Sequence, residues 1–193
     1  MGVDPLMTRA VFLDRDGVIN RARIIDGRPY PPDPVSSYEI LPGVPEALQR
    51  LKAAGFWTIV VTNQPDVARG TTSRESVEVV HQRLQETLAI DEILACYHDG
   101  DACECRKPKP GALLDAARRH AIDLSQSFMV GDRWRDVAAG QRAGCTCFFI
   151  DYAYKEQEPE PPFERVTSLA QATDLIVGQG VVAATPMAVS GGS

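Results

Sequence analysis

The 193-residue sequence predicts an α/β fold, a Rossmann-like three-layer α/β/α arrangement around a mostly parallel central sheet. Two observations favour this class. Short apolar runs alternate along the chain with stretches of helical periodicity, which is typical of βαβ crossovers and of a sheet covered on both faces. Several of these apolar runs also stop abruptly at polar residues, as strands do where a parallel sheet presents a site at its carboxyl edge.

Strands are predicted where an apolar run meets polar or turn residues, over 10–13, 57–61, 93–97, 128–130 and 146–150. Helices are predicted from apolar residues at helical spacing, over 45–54, 73–89, 110–120, 133–143 and 168–177. Ser73 is a suitable N-cap, and Gly55 and Gly144 follow the ends of two predicted helices. Residues 20–45 are polar and rich in proline, and they predict loops with a small hairpin around Asp26.

Composition divides the chain into three parts. Residues 1–8 are expected to be an N-terminal extension, and 9–178 a single domain of ordinary size. Residues 179–193 are rich in Ala, Gly and Ser and are expected to form a disordered tail.

Charge and hydropathy exclude several classes of protein. The formal net charge is −6 and the isoelectric point about 5.1, which argues against a large nucleic-acid or anionic-membrane surface. No apolar run approaches the roughly 18 residues that cross a bilayer, and charged residues interrupt any candidate signal peptide. Five clustered cysteines are too few for a disulfide framework. We expect a cytoplasmic monomer with a small-molecule partner, and neither nucleic acid nor membrane.

The polar residues that follow the strands have the chemistry of phosphoryl transfer. Asp14 and Asp16 follow one strand two residues apart, so one carboxylate can attack phosphorus while the other carries a proton. Carboxylates this close repel each other, and Mg²⁺ is the cation that oxygen ligands suit. Asp132 follows another strand and supplies a further carboxylate. Thr62 offers a hydroxyl and Lys107 a point charge to the phosphoryl oxygens.

A second group of residues predicts a structural zinc site. Cys96 and His98 form one donor pair, and Cys103 and Cys105 form another a few residues later. Three thiolates and one imidazole complete a tetrahedral Zn²⁺ site with no open position, which is typical of structural rather than catalytic zinc.

Four motifs in order along the chain resemble the signatures of the haloacid dehalogenase-like phosphatases. They are Phe-Leu-Asp14-Arg-Asp16-Gly-Val, Val-Val-Thr62-Asn, Arg106-Lys107-Pro-Lys-Pro and Val-Gly-Asp132-Arg-x-x-Asp136, and they span about residues 9–150. The resemblance implies that Asp14 is the nucleophile and Asp16 the general acid/base. It also implies that Thr62 and Lys107 hold the phosphoryl group, and that Mg²⁺ binds Asp14, Asp132 and the backbone carbonyl of Asp16.

The zinc motif directly before Arg106 resembles the zinc-bearing branch of that family (subfamily IIIA), which includes heptose-bisphosphate and histidinol-phosphate phosphatases. The resemblance implies no large cap domain and a small phosphorylated substrate, most closely a heptose 1,7-bisphosphate cleaved at its 7-phosphate. In this interpretation the substrate-binding residues are Asn63, Gln64, Arg69, Arg106 and Arg133, with Arg106 on the second phosphate.

The sequence leaves the substrate open. The family usually has Ser-Gly or Ala-Gly after Thr-Asn-Gln, whereas this chain has Pro65 and Asp66, which remove a backbone donor and add a negative charge. Histidinol phosphate is therefore an alternative substrate, because a carboxylate would suit its amine. A zinc-stabilised binding module with a vestigial phosphatase site is a remote alternative, since every expected catalytic residue type is present.

Overall fold

The computed structural model describes residues 8–32 and 38–182, with side chains as far as residue 178. In chain order its strands are β1 Arg9–Leu13, β2 Arg23–Ile25, β3 Arg28–Tyr30, β4 Phe56–Asn63, β5 Glu92–Cys96, β6 Phe128–Gly131, β7 Thr146–Ile150 and β8 Glu164–Val166. Six of them form one sheet in the order β5-β4-β1-β6-β7-β8, and every neighbouring pair in it is parallel. Strands β2 and β3 pair separately as an antiparallel hairpin.

Helices cover both faces of the sheet. They are α1 Val44–Ala53, α2 Pro65–Ala68, α3 Arg74–Thr87, α4 Gly111–His120, α5 Trp134–Ala143 and α6 Leu169–Val182. One apolar core joins α1, α3 and α6 to the sheet, and a second joins α4 and α5 to the opposite face. Successive side chains of β1 face opposite sides of the sheet, so both faces are apolar. Val11 and Leu13 pack into the first core, whereas Ala10 and Phe12 pack into the second. The predicted three-layer fold is confirmed.

The order of the strands determines where a site forms. From β1 the chain adds β4 and β5 on one side, then returns to add β6, β7 and β8 on the other. Strand β1 therefore lies at the point where the winding reverses, and its carboxyl end opens into a crevice between the loops that follow β4 and β6. Asp14, Thr62 and Asp132 all lie at this edge.

The structure differs from the predicted elements at the margins. The one-turn helix α2, the edge strand β8 and a 3-10 turn over Leu124–Gln126 were not predicted. Helix α6 continues to Val182, so residues 179–182 of the expected tail are helical, and the rest of that tail lies outside the described residues. Among the described residues, no helix is long and apolar enough to span a bilayer.

Candidate active site

Asp14 lies at the centre of the site, directly after β1. Its backbone N–H donates to the carbonyl of Val130 on β6 at 3.0 Å, which continues the parallel pairing of the two strands past Leu13. One oxygen of its carboxylate, Oδ1, lies 2.8 Å from Nζ of Lys107 and accepts a hydrogen bond from the N–H of Arg15 at 2.7 Å. The carboxylate is thus held at the carboxyl end of β1, where Asp14 lines the pocket.

Lys107 is buried, with 2% of its surface exposed, and its ammonium has three partners. Nζ donates to the carbonyl of Val61 at 2.6 Å and forms ion pairs with Asp14 at 2.8 Å and Asp136 at 2.7 Å. Burial alone would lower the pKa of Lys107, but the charges of Asp136 and Asp14 outweigh it and raise the pKa. The lysine therefore stays charged beside the Asp14 carboxylate.

Three carboxylates, those of Asp14, Asp132 and Asp136, offer oxygens within 4.8 Å of one another. Burial and the charge of Asp136 raise the pKa of Asp14 to about 6, and burial with the charge of Asp14 raises that of Asp132 well above its usual value. Both oxygens of Asp132 are buried without a hydrogen-bond partner of normal geometry among the described residues, although the Tyr154 hydroxyl lies close enough to lower its pKa.

This cluster fits a magnesium ion. One ammonium faces three buried carboxylates, so a divalent cation would balance the remaining charge and keep Asp14 ionised as a nucleophile must be. Oxygen ligands on two or three carboxylates suit Mg²⁺. The Asp16 side chain lies outside the cluster, so its predicted share in the metal site depends on its backbone carbonyl and stays a prediction.

Gly17 makes room for the carboxylate of Asp132. Its φ is +90°, and a Cβ at this position would lie 1.9 Å from Oδ2 of Asp132. We expect Gly17→Ala to lower the affinity for Mg²⁺ and the activity at least about tenfold, because the added methyl displaces a metal ligand. A magnesium titration of phosphate release measures both.

Gly55→Ala is the matched control for Gly17→Ala. Gly55 has a similar φ of +83°, but a Cβ there would meet nothing within 4 Å. The control shares the backbone strain and not the contact with Asp132. An equal loss of magnesium affinity in the two variants would contradict the role of Gly17.

The carboxylate of Asp16 lines the same pocket but is not part of the metal cluster. Its oxygens accept hydrogen bonds from Arg15, from the Asn20 amide at 2.9 Å and from the Gln64 amide at 3.3 Å. Burial would raise the pKa of Asp16, but the Arg15 guanidinium and these donors lower it. The ionised form is the one that accepts a proton from water.

The residues after β4 support the site in different ways. The Thr62 hydroxyl accepts a hydrogen bond from the Gln64 amide at 2.9 Å, which leaves its own proton for a phosphoryl oxygen. Asn63 lines the pocket, but its amide donates to the Lys107 carbonyl at 2.9 Å and accepts from the Lys107 N–H at 3.1 Å. Its contacts therefore clamp the loop that carries Lys107. Gln64 is buried and lies behind the pocket wall, between Thr62 and Asp16.

Arginines surround the mouth of the pocket, which has a volume of about 360 Å³ and is lined by Arg28, Arg69, Arg106, Arg133 and Arg135. Arg69 pairs with Asp99 at 2.9 Å and Asp66 at 3.3 Å, and Arg133 pairs with Glu156. Among the described residues the other three form no ion pair at contact distance, and Arg106 donates to the carbonyl of His98 at 3.1 Å.

The zinc residues predicted from the sequence also lie together, beside the pocket. The Cys96 sulfur lies 3.6 Å from that of Cys103 and 3.2 Å from that of Cys105, and Nδ1 of His98 lies 3.6 Å from Cys96 and 3.4 Å from Cys105. Zinc bonds of about 2.3 Å to sulfur in a tetrahedral site imply sulfur separations of about 3.8 Å. The Cys96–Cys103 separation is close to that value and the Cys96–Cys105 separation is about 0.6 Å shorter. With small side-chain adjustments the residues fit Zn²⁺.

Sequence analysis missed several residues of the site. Arg15 was not among the predicted site residues, yet it is buried and bonded to Asp16. Arg28 and Arg135 line the pocket from the β2–β3 hairpin and from α5. The one available signal was the excess of arginine in the loops around the motifs, which does not reveal which side chains face the pocket.

The chain is similar to known phosphatases. The profile of the haloacid dehalogenase-like hydrolases matches residues 34–144. A protein of Rhodopseudomonas palustris named D-glycero-beta-D-manno-heptose-1,7-bisphosphate 7-phosphatase is 37% identical over 155 residues, covering 72% of this chain and 81% of the relative. A Mycobacterium bovis protein named as the 7-phosphatase of the alpha anomer is 42% identical over 135 residues, covering 66% and 68%.

A solved structure agrees with these relatives. The D,D-heptose 1,7-bisphosphate phosphatase of B. bronchiseptica, in complex with magnesium and phosphate, superposes with a TM-score of 0.75. It is 28% identical and covers 89% of this chain and 99% of its own. The sequence-based prediction of a haloacid dehalogenase-like phosphatase is thereby confirmed. By its sequence, its fold and its relatives, this chain belongs to the haloacid dehalogenase-like hydrolase family.

Proposed function

We propose that the protein is a magnesium-dependent phosphomonoesterase that removes the 7-phosphate of D-glycero-D-manno-heptose 1,7-bisphosphate. The relatives named above carry that activity in their names. The observation in this chain that supports a bisphosphate is the group of arginines at the pocket mouth, three of which form no ion pair at contact distance among the described residues.

The electrostatics of Arg135 support a second anion at this mouth. Burial, together with the nearby guanidiniums of Arg133 and Arg106, lowers the pKa of Arg135. Crowded cations of this kind are stabilised by a bound phosphate, and arginine forks match phosphate oxygens well. The amine of histidinol phosphate would gain no such contact from these arginines. Asp66, the residue that favoured that alternative, is paired with Arg69.

In the first chemical step the Asp14 carboxylate attacks phosphorus and the bond from phosphorus to the sugar oxygen breaks. Asp16, which must enter this step protonated, gives its proton to the leaving oxygen and becomes the ionised form that Arg15, Asn20 and Gln64 stabilise. Thr62 and Lys107 hold the phosphoryl oxygens. In the second step Asp16 takes a proton from water, whose oxygen attacks phosphorus and breaks the bond to Asp14. A magnesium ion held by Asp14, Asp132 and the Asp16 carbonyl, with Asp136 beside it, would supply charge stabilisation.

The protein is further proposed to contain structural zinc. A structural zinc ion held by Cys96, His98, Cys103 and Cys105 would brace the loop that carries Arg106 and Lys107. The cytoplasmic location, the monomeric state and the absence of nucleic-acid and membrane partners stay predictions.

A substrate panel tests the proposed function. Phosphate release with magnesium is measured on both anomers of heptose 1,7-bisphosphate, on fructose 1,6-bisphosphate and on histidinol phosphate. We expect one heptose anomer to be hydrolysed fastest. Faster turnover of histidinol phosphate would contradict the assignment.

Arg106→Met is expected to raise the KM for heptose 1,7-bisphosphate by roughly 10- to 100-fold, because one charge-assisted contact is worth about 1.5–3 kcal/mol. The KM for heptose 7-phosphate, which lacks the second phosphate, should change less than about threefold. Arg118→Met, on the exposed side of α4 outside the pocket, is the control. Equal changes in KM for the two substrates would show that Arg106 does not bind the second phosphate.

A further inference from the structure

Arg15 is one of the most buried charged side chains of the described residues, with 2% of its surface exposed. All three of its nitrogens have partners. Nε and Nη2 donate to the two oxygens of Asp16 at 3.3 and 2.8 Å, and Nη1 lies 3.0 Å from Nε2 of His81. The guanidinium also lies over the ring of Tyr38, at 5.3 Å from its centroid. Its plane is therefore set by contacts on both edges and one face.

His81 supports Arg15 from a separate element, α3, 66 residues away along the chain. An arginine nitrogen only donates, so Nε2 of His81 must accept and its proton resides on Nδ1. Nδ1 lies 3.9 Å from Oε2 of Glu78. Burial and the neighbouring Arg15 lower the pKa of His81 to about 4, so the imidazole is neutral at physiological pH. A neutral imidazole is the form that this contact requires.

The geometry of the three residues forms a chain from α3 to the active site. Asp16 has two rotatable side-chain bonds, and a fork that binds both its oxygens leaves the carboxylate one orientation. The fork can rotate only if the Nη1 contact to His81 breaks, because Nη1 shares the guanidinium plane with Nε and Nη2. None of these atoms belongs to a residue predicted to hold the phosphoryl group. The contacts of Arg15 and His81 therefore orient Asp16 and do not bind substrate.

We propose that Arg15 and His81 are positioning residues for Asp16, holding its carboxylate where it meets the oxygen of the leaving group. This inference rests on the proposed function, in which Asp16 is the general acid/base. His81 does not contact the substrate. It acts through Arg15, and its loss should affect the step in which Asp16 gives up a proton.

Two substrates with different leaving groups test the inference. A primary alkyl phosphate, heptose 1,7-bisphosphate, needs protonation of its leaving oxygen, whereas the nitrophenolate of 4-nitrophenyl phosphate leaves without it. His81→Leu is expected to lower kcat/KM for the alkyl ester about tenfold and for the aryl ester less than about threefold. Arg15→Lys, which keeps the charge and loses the fork, should show the same selective loss.

His81→Gln should restore both values to within about threefold of wild type, because its amide oxygen can accept from Arg15. Val80→Ala, a buried truncation on the same helix, should lower the melting temperature without changing the ratio between the two substrates. Equal losses on both substrates in His81→Leu and Arg15→Lys, unchanged rates in both, or no rescue by glutamine would overturn the inference.

Failure of the proposed function would look different. Wild-type protein that hydrolyses 4-nitrophenyl phosphate and fructose 1,6-bisphosphate, but neither heptose anomer, would contradict the substrate alone. The leaving-group comparison would then use fructose 1,6-bisphosphate, which is also a primary alkyl ester. Wild-type activity that survives Asp16→Asn on alkyl esters would remove the role of Asp16, and the positioning role with it.

Discussion

Replacing Asp14 with asparagine is expected to lower phosphate release by on the order of 10⁴-fold or more, with the fold intact. The amide has nearly the shape of the carboxylate, so the contact with the Arg15 N–H at 2.7 Å can be kept. It cannot form the acyl phosphate, however, and it removes one ligand from the carboxylate cluster. Steady-state phosphate release with saturating magnesium measures the loss, and a thermal melt checks the fold.

The thermal melt of Asp14→Asn also tests the repulsion among the buried carboxylates. In the absence of magnesium, Asp14→Asn removes one of three buried carboxylates that repel each other, so its melting temperature should equal or exceed that of wild type. Asp115→Asn, on the exposed side of α4, is the matched control and should keep full activity. A variant that retains more than a few per cent of wild-type activity would contradict Asp14 as the nucleophile.

The fold was predictable because its interior strands are apolar on both faces. In β1, Val11 and Leu13 pack on one layer and Phe12 on the other, which produces a continuous apolar run that ends where the chain reaches the pocket. The elements that were missed lack such a signal. Helix α2 is a single turn, too short for periodicity, and β8 is a three-residue edge strand that follows a proline-rich linker.

The centre of the site was predictable for a related reason. Parallel strands present their carboxyl ends at one edge, so residues that directly follow β1, β4 and β6 must lie close together. Asp14, Thr62 and Asp132 follow from that rule without knowledge of any side-chain contact. Lys107 lies in a loop and not at a strand end, so this rule does not predict its place in the site. That place was predicted from the resemblance of its motif to the family signature.

Contacts between distant elements could not be predicted in this way. The pairing of Arg15 with His81 joins a strand end to a helix, and no spacing in the sequence encodes it. The same holds for Arg133, which was predicted to bind substrate and is paired with Glu156 from the loop after β7. A substrate phosphate would have to compete with Glu156 for Arg133. A stronger ion pair between these two residues would therefore lower the affinity for substrate.

The zinc cluster should have the largest effect on stability. Cys96 ends β5 and pairs in register with Asn63, whereas Cys105 directly precedes Arg106 and Lys107, with Cys103 two residues before it. A metal bound to these residues would tie the edge of the sheet to the loop that carries the catalytic lysine. Burial and the neighbouring thiols of Cys96 and Cys103 raise the pKa of Cys105 to about 12, so this thiol stays protonated unless a cation is bound.

Cys105→Ser is therefore expected to reduce the zinc content from one ion per chain and to lower the free energy of unfolding by about 3–5 kcal/mol. That loss corresponds to a fall in melting temperature of about 10 °C for a chain of this size. The kcat should fall about tenfold, because Lys107 is held by the same loop. Elemental analysis, a thermal melt and steady-state kinetics measure the three effects.

Cys145→Ala separates the zinc cluster from cysteine chemistry in general. Cys145 is buried in the second apolar core and is not part of the metal cluster, so its substitution should leave zinc content and kcat unchanged. Wild-type protein that contains no zinc, yet melts at the same temperature with and without added zinc, would show that the cluster is not a metal site. Loss of zinc without loss of kcat would instead mean that Asn63, which bonds the Lys107 backbone on both sides, holds that loop by itself.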